Sequence, residues 1–245
     1  IGCWGRATAH FRMLEKENVV ALCDVNSKAL AAAAQKFPKA KQYSDWRKCL
    51  DQKDLDAVVC CTPDHHHAFI SIWAMNRGLH VYGEKPLANS VEEARMVRDT
   101  YMKNRNKLAT QCGTQRHFDT NFDYVRELIH EGAIGDLQDV HAWGNRYHKK
   151  TGYPKGTGSA PDFIDWDLWV GPSPMHPFSK DYFIALDWRT GKMSKSYFDG
   201  DSSQWPSGSN CLSWNMYRDF GNWKIGDMGS HTMDLAFTPL DADNP

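Results

Sequence analysis

Three nearly unbroken apolar runs, Val19–Cys23, Ala57–Cys61 and Leu79–Tyr82, constrain what this chain can fold into more than any other feature. Strands without polar alternation are buried on both faces, which calls for a parallel sheet with helices above and below. The segments between them fit. A turn at Gly2–Gly5 leads into a helix over Arg6–Lys16. Asn26 or Ser27 caps an alanine-rich helix to about Lys36, and a short helix runs from Ser44 to Leu50. Asp64 reads as the N-cap of a helix to Arg77 that Gly78 stops, and Ser90-Val91-Glu92-Glu93 is a capping box opening a helix to about Asn104. Leu108–Gly113 supplies one more strand. The fold class is α/β, a doubly wound parallel sheet.

Ligands of such sheets bind beyond the carboxyl ends of the strands. The segments expected there are Gly2–Arg6, Asp24, Thr62–His67, Glu84–Lys85 and Gly113–Arg116. The turn Gly2-Cys3-Trp4-Gly5-Arg6-Ala7 resembles a dinucleotide turn. Gly2 suits the tight bend and Ala7 the helix packing, but Trp4 stands where a second glycine lets the backbone approach a pyrophosphate, with Gly5 next door. Asp24, about 20 residues on at a strand end, suits the diol of an adenosine ribose and favours NAD over NADP, because it repels a 2′-phosphate. It would serve equally as an ordinary helix-capping acid.

Two further strings carry chemistry. Gly83-Glu84-Lys85-Pro86 puts a lysine at the end of a strand, where Glu84 is the nearest partner for it. Gly226-Asp227-Met228-Gly229-Ser230-His231 puts a carboxylate and an imidazole four residues apart, on one face of a helix turn. Lys85, Asp227 and His231 together can anchor a hydroxyl, orient an imidazole and remove a proton. The plain alternative for Asp227 and His231 is a helix-face ion pair. A metal site is not expected. Asp227 and His231 have ligand spacing, but no third ligand is evident at a compatible position, His141 and His148 on an expected strand being the remaining candidates. The adjacent His65, His66 and His67 point about 100° apart on a helix and cannot share one ion.

A formal net charge of −1 with dispersed basic residues argues against a nucleic-acid surface, and no apolar run is long enough for a membrane span. The seven cysteines lack metal-type spacing and read as buried free thiols, favouring a reducing compartment. Trp166, Trp169, Trp205, Trp214 and Trp223 fall outside the strands, either as sugar-binding walls or as loop anchors. The chain opens on Ile1-Gly2 without the strand expected before a glycine turn and stops at Pro245 soon after the Asp227–His231 helix. It therefore reads as an internal fragment of a longer protein.

These residues, in this order, resemble the Gfo/Idh/MocA group of NAD(P)-dependent oxidoreductases. The resemblance rests on the glycine turn, Asp24, Thr62-Pro63-Asp64 with His67, Glu84-Lys85-Pro86 and Gly113-Thr114-Gln115-Arg116. It continues with Gly135, Trp166-Asp167-Leu168-Trp169 with Gly171-Pro172, and Asp227 with His231 and Asp234. Trp4 departs from the family's glycine, and Gly191–Ser213 looks like a lineage-specific loop. The resemblance implies a Rossmann domain over 1–118, its first strand largely missing. A C-terminally truncated α+β domain with an open, mainly antiparallel sheet would follow over 119–245, including a helix at Thr120–His130 and a long strand at Leu137–Tyr147. It also implies catalytic Lys85, Asp227 and His231. Cofactor contacts would come from Gly2, Cys3, Trp4, Gly5, Arg6, Asp24, Thr62, Pro63, Asp64, His67, Glu84, Lys85 and Gln115. The implied activity is hydride transfer from a secondary hydroxyl of a sugar or cyclitol to NAD, NADP being the poorer fit, in a cytoplasmic homodimer or homotetramer, although exported relatives exist. The alternatives are an NAD-dependent glycoside hydrolase that oxidises and eliminates transiently, and a non-catalytic NAD sensor.

Overall fold

The computed structural model describes residues 1–115, 117–144, 152–184, 211–238 and 240, the side chains of 211 and 212 excepted. Five strands occur among them: β1 (Ala21–Cys23), β2 (Lys41–Tyr43), β3 (Ala57–Cys60), β4 (His80–Gly83) and β5 (Thr110–Cys112). All pairings are parallel, β1 with β2 and β3–β4–β5 in sequence, in registers that set Ala21 against Lys41, Ala57 against His80 and Val81 against Thr110. Ile1 and Gly2 join the two groups. The Gly2 N–H donates to the Cys23 carbonyl and the Cys61 N–H to the Ile1 carbonyl, each at 2.8 Å, and the Ile1 amine donates to the Val59 carbonyl. The spatial order is therefore β2–β1–(Ile1-Gly2)–β3–β4–β5. Strand order reverses at Gly2, the switch point where a doubly wound sheet opens a crevice.

The helices of this half are α1 (Ala7–Leu14), α2 (Ser27–Lys36), α3 (Trp46–Leu50), α4 (Asp64–Asn76) and α5 (Val91–Asn104). One buried cluster, with Ala7, Phe11, Leu22, Leu30 and Ala33, lies under α1 and α2. A second, with Leu50, Val58, Ile70, Ala74, Val81 and Val97, lies under α3, α4 and α5. Local signals set the helix starts. The Asn26 side chain accepts from the N–H groups of Lys28 and Ala29, and the Ser90 hydroxyl accepts from the Glu93 N–H. The return contact of that capping box closes one residue early, Glu93 Oε2 accepting the Asn89 N–H at 2.9 Å.

Two readings need correction. Pro63, not Asp64, caps α4. Its extended backbone (φ −58°, ψ 152°) presents a carbonyl to the His66 N–H, and Asp64 becomes the first helical residue, its side chain buried. β2 was missed because Lys41-Gln42-Tyr43 is a short, largely exposed edge strand with no apolar pattern to read.

Beyond β5 come α6 (Thr120–His130), α7 (Trp166–Val170), a 3₁₀ turn at Lys180–Phe183, α8 (Cys211–Trp214), a π-helical turn at Ile225–Gly229 and α9 (Ser230–Phe237). α6 has the expected bounds. Residues 137–144 form no strand. Val140 and Trp143 are exposed there, and no neighbouring strand among the described residues offers a ladder to pair with. The remainder of that expected strand, and 191–210 of the expected loop, lie outside the described residues. A third buried cluster, entirely aromatic apart from Val170, gathers Trp169, Phe178, Tyr182, Phe183, Tyr217 and Phe220. It docks on the sheet where Asn26 bridges Ile164 and the Asp165 N–H donates to the Val25 carbonyl. No helix among the described residues is long and apolar enough to cross a membrane.

Candidate active site

The site is built outward from Gly2. Its φ is +78°, and a Cβ there would sit 2.6 Å from the Cys61 carbonyl oxygen, so only glycine lets the turn run this close to β3. Gly5 also has positive φ (+64°), but nothing lies within 4 Å of where its Cβ would be. That space lies at the turn leading into α1, whose helix dipole favours an anion, although the N–H groups of Ala7, Thr8 and Ala9 are already bonded to the carbonyls of Trp4, Gly5 and Arg6. Trp4 does not fill it: the indole packs on the aromatic cluster of the second half.

Asp24 is held by the same turn. The Cys3 N–H donates to one carboxylate oxygen at 2.7 Å and the Asn26 N–H to the other at 2.8 Å. Burial pushes its carboxyl up, and the two N–H donors pull it back. A carboxylate offers about four acceptor positions, so two remain for ribose hydroxyls. With the space at Gly5, these residues fit a dinucleotide.

At the end of β4, Glu84 and Lys85 part company. Glu84 does not pair with its neighbour. Its Oε1 takes the Arg6 Nε at 2.9 Å and the His10 Nε2 at 2.6 Å, both from the start of α1. Its carboxyl also occupies the space a Cβ on Gly113 would need, at 2.9 Å, which explains that glycine. His10 was missed from sequence; its position four residues after Arg6, on one face of α1, was the available signal. Glu84, His10 and Cys61 are close enough to hold a metal ion, but the Arg6 guanidinium on the same carboxylate opposes a second cation.

Lys85 crosses instead to the distant segment. Its Nζ donates to Asp227 Oδ1 at 2.6 Å and to the Asp227 backbone carbonyl, with side-chain exposures of only 19% and 9% for the two partners. This joins two strings 142 residues apart, where sequence adjacency offered Glu84 as the partner of the lysine. Asp227 lies within the π-helical turn and His231 at the start of α9. Such turns inside helices recur at functional sites.

A cavity of about 690 Å³ spans all of this, within the range of small-molecule sites. Gly2, Trp4, Gly5, Arg6 and Asp24 line it from the glycine turn and β1. Thr62, Pro63, Asp64 and His67 line it from the β3–α4 junction, and Glu84, Lys85 and Gln115 from the ends of β4 and β5. Asp227, in contact with Lys85, and His231 complete the lining. Of the nominated residues only Cys3 stays off the wall; it is buried, its thiol on the Cys23 carbonyl, and it contributes through its N–H. Trp169 and Trp214, read from sequence either as sugar-binding walls or as loop anchors, add an aromatic wall together with Phe183, which sequence reading did not single out. Trp205 lies outside the described residues.

The three histidines of α4 prove to be fasteners. His65 sits between the Trp169 and Phe220 carbonyls (2.9 and 3.2 Å), His66 bonds the Trp169 carbonyl (2.8 Å), and His67 sits between those of Pro86 and Thr62 (2.6 and 2.8 Å). They tie α4 to the second half and to the Lys85 loop. Burial pushes all three imidazoles down, His66 to about 4, against the carbonyls, which pull upward. Burial thus favours the neutral rings, in which the single N–H of His65 and of His67 donates to one of its two carbonyls at a time, while an unfolded chain protonates near pH 6.5. For His66 the contribution to stability is complete above that pH and is lost as pH falls from 6.5 toward 4, at up to about 1.4 kcal/mol per unit, and His65 and His67 act in the same direction. Asp64, raised to about 8, works in the opposite direction, and the three imidazoles together outnumber it. Urea midpoints measured at about pH 7 and about pH 5 should show the loss, and His66→Gln should flatten the slope.

A doubly wound sheet with a glycine turn, a strand-end acid and a crevice at the switch point defines a nucleotide-binding α/β protein. The comparison with known families is more specific. Residues 1–111, somewhat less than half of the chain, match the Gfo/Idh/MocA oxidoreductase family through its NAD-binding Rossmann fold. Among curated relatives, an inositol 2-dehydrogenase of Salmonella typhimurium is 31% identical over 134 residues, covering 54% of this chain and 39% of that protein. A levoglucosan dehydrogenase of Pseudarthrobacter phenanthrenivorans is 34% identical over 116 residues, covering 47% and 29%. An inositol 2-dehydrogenase of Saccharopolyspora erythraea is 28% identical over 181 residues, covering 69% and 52%. The alignments thus span between 29% and 52% of these relatives' lengths.

Proposed function

We propose that the protein is an NAD-dependent dehydrogenase acting on a secondary hydroxyl of a cyclitol or sugar. The observation that carries this is the Lys85–Asp227 pair facing, with His231, the same cavity as Asp24 and the glycine turn. Oxidation of a secondary alcohol removes a hydride from carbon and a proton from oxygen, leaving a carbonyl. The dinucleotide, when bound, supplies the hydride acceptor. Lys85 donates a hydrogen bond to the reacting oxygen and stabilises its developing negative charge. His231, an imidazole suited to proton transfer near neutrality, takes the hydroxyl proton. Asp227 orients Lys85 through the 2.6 Å contact. The relatives' names, inositol 2-dehydrogenase and levoglucosan dehydrogenase, support a polyol or sugar substrate.

The test is NADH accumulation from NAD⁺ with a panel of cyclitols and sugars. Stoichiometric NADH sustains the reading, and its absence on every member sinks it. A second reading, a glycoside hydrolase that oxidises and later reduces its sugar, draws on the aromatic wall of Trp4, Trp169, Phe183 and Trp214. It would release aglycone without net NADH.

NAD rather than NADP is favoured by Asp24, whose carboxylate would face a 2′-phosphate. Asp24→Asn is expected to narrow the NAD⁺ over NADP⁺ preference by about tenfold, roughly the 1.4 kcal/mol of one repulsive contact. Equal preference in wild type and variant, by fluorescence titration, would count against that role. The reading further takes 1–118 as the dinucleotide domain and 119–245 as the substrate and oligomer-forming domain, with an open, mainly antiparallel sheet. The working assembly would be a homodimer or homotetramer. The buried thiols of Cys3, Cys23, Cys49 and Cys60 support a reducing, cytoplasmic setting.

A further inference from the structure

Arg6 has more binding capacity than the fold uses. A guanidinium carries five N–H donors, and in Arg6 only Nε finds an acceptor among the described residues, Glu84 Oε1 at 2.9 Å. The Arg6 side chain lines the cavity and stays 40% exposed, while that of Glu84 is 6% exposed. The same carboxylate oxygen bonds His10 Nε2 at 2.6 Å, and the His10 ring meets Tyr82 edge-on. His10 alone therefore ties α1 to the end of β4. A pair that only fastened those two elements would not need an arginine with its terminal donors left over. The turn beside it, meanwhile, is short of donors. Trp4 stands where a second glycine would bring the backbone against phosphates, and carbonyls of the same turn take the N–H groups of Ala7, Thr8 and Ala9. Arg6 and Lys85 are the only lysine or arginine side chains among the described residues of the cavity wall, and Lys85 is bonded to Asp227.

We propose that Arg6 binds the phosphates of the dinucleotide through its terminal nitrogens, supplying donors that the turn lacks, and that Glu84 is the positioning residue that aims it. In taking a dinucleotide as the ligand this rests on the dehydrogenase reading. The planar guanidinium fork matches phosphate oxygens, and each such contact is a charge-assisted hydrogen bond. Glu84 holds the fork by its Nε, so less side-chain freedom is lost when the ligand arrives. His10, on the same oxygen, anchors the carboxylate in turn. Glu84 thus acts on the phosphates through Arg6 and not by touching them, since a carboxylate repels a phosphate.

Arg6→Gln removes the charge and the fork at a partly exposed position. In the full-length protein, calorimetric titration with NAD⁺ and with ADP should show affinities lower by roughly tenfold to a hundredfold, the effect of losing charge-assisted hydrogen bonds. Adenosine, which has no phosphate, should bind as it does to wild type. An unchanged ADP affinity, or equal losses for ADP and adenosine, overturns the proposal. The role of Glu84 is read from a double-mutant cycle. Glu84→Gln should weaken ADP binding when Arg6 is present and leave it unchanged in the Arg6→Gln background. Equal losses in both backgrounds are what a purely structural carboxylate gives. A gain in affinity is what a carboxylate that merely offsets the arginine's charge gives, and either result overturns the positioning role. Weaker ADP binding by Arg6→Gln, in a protein that makes no NADH from any polyol, keeps this assignment and removes the dehydrogenase reading. NADH made by a wild type whose ADP affinity is untouched by Arg6→Gln does the reverse.

Discussion

Lys85→Ala is expected to lower kcat/KM for polyol oxidation by roughly a thousandfold or more while leaving NAD⁺ affinity within a few-fold. The lysine is asked for two things, a hydrogen bond to the reacting oxygen and compensation of the charge that develops there. Loss of a preorganised donor of this kind costs on the order of 10²–10³ in rate, and misplacement of the substrate adds to it. The substitution also strands Asp227, whose side chain is 9% exposed, and removing one partner of a buried ion pair destabilises by about 3–5 kcal/mol. A loss of activity alone would therefore be ambiguous. The double variant Lys85→Met with Asp227→Leu separates the two effects, because an apolar pair of similar volume often restores stability. Thermal midpoints near wild type with activity still absent would assign Lys85 to the chemistry. Recovery of turnover in the double variant would show that the pair serves only to join the two halves.

Gly171→Ala is expected to destabilise the protein by about 2–5 kcal/mol, the sum of a left-handed backbone strain and an overpacked contact. Gly171 ends α7 with φ +54° and ψ −117°, and a Cβ there would land on His66 Cε1, with Nε2 3.0 Å and Nδ1 3.1 Å away. The imidazole cannot yield cheaply. It is 4% exposed and bonded to the Trp169 carbonyl, on the residue that forms part of the cavity wall. Denaturant unfolding of Gly171→Ala, His66→Ala and the double variant forms a thermodynamic cycle. A coupling energy near zero would contradict the contact; a large recovery in the double variant, leaving about 1–2 kcal/mol of backbone strain, is the expected result.

Much of the first half was legible because its signals are local or periodic. The apolar runs at Val58 and Val81 are strands β3 and β4, although burial along them alternates, with Val58, Cys60 and Val81 buried and Ala57 and His80 exposed. Asn26 and Ser90 cap the helices they were expected to cap, since capping needs only the next three residues. From strand order alone the chemistry-bearing segments could be sent to one edge, and the wall of the cavity is made of them. Asp64 was misread as a cap because proline before it can take the same extended backbone and leave the acid free to turn inward. Trp4 looked like an obstruction while its neighbours along the chain were the only ones visible. Its indole finds a place in a cluster made of residues more than 150 positions later.

The charge pairs divide along the same line. Sequence adjacency suggested Glu84 with Lys85. The fold instead paired Glu84 with Arg6 and His10, and Lys85 with Asp227. Residue types, periodicity and caps are properties of short stretches, so the chain by itself determined the layered sheet, its glycine turn and the residues able to do the chemistry. Which of those residues touch depends on the meeting of segments 74 to 142 residues apart, and on burial that makes each contact strong. That meeting exists only in the packed structure, and it alone decided that Lys85 answers to Asp227 and the three histidines to backbone carbonyls.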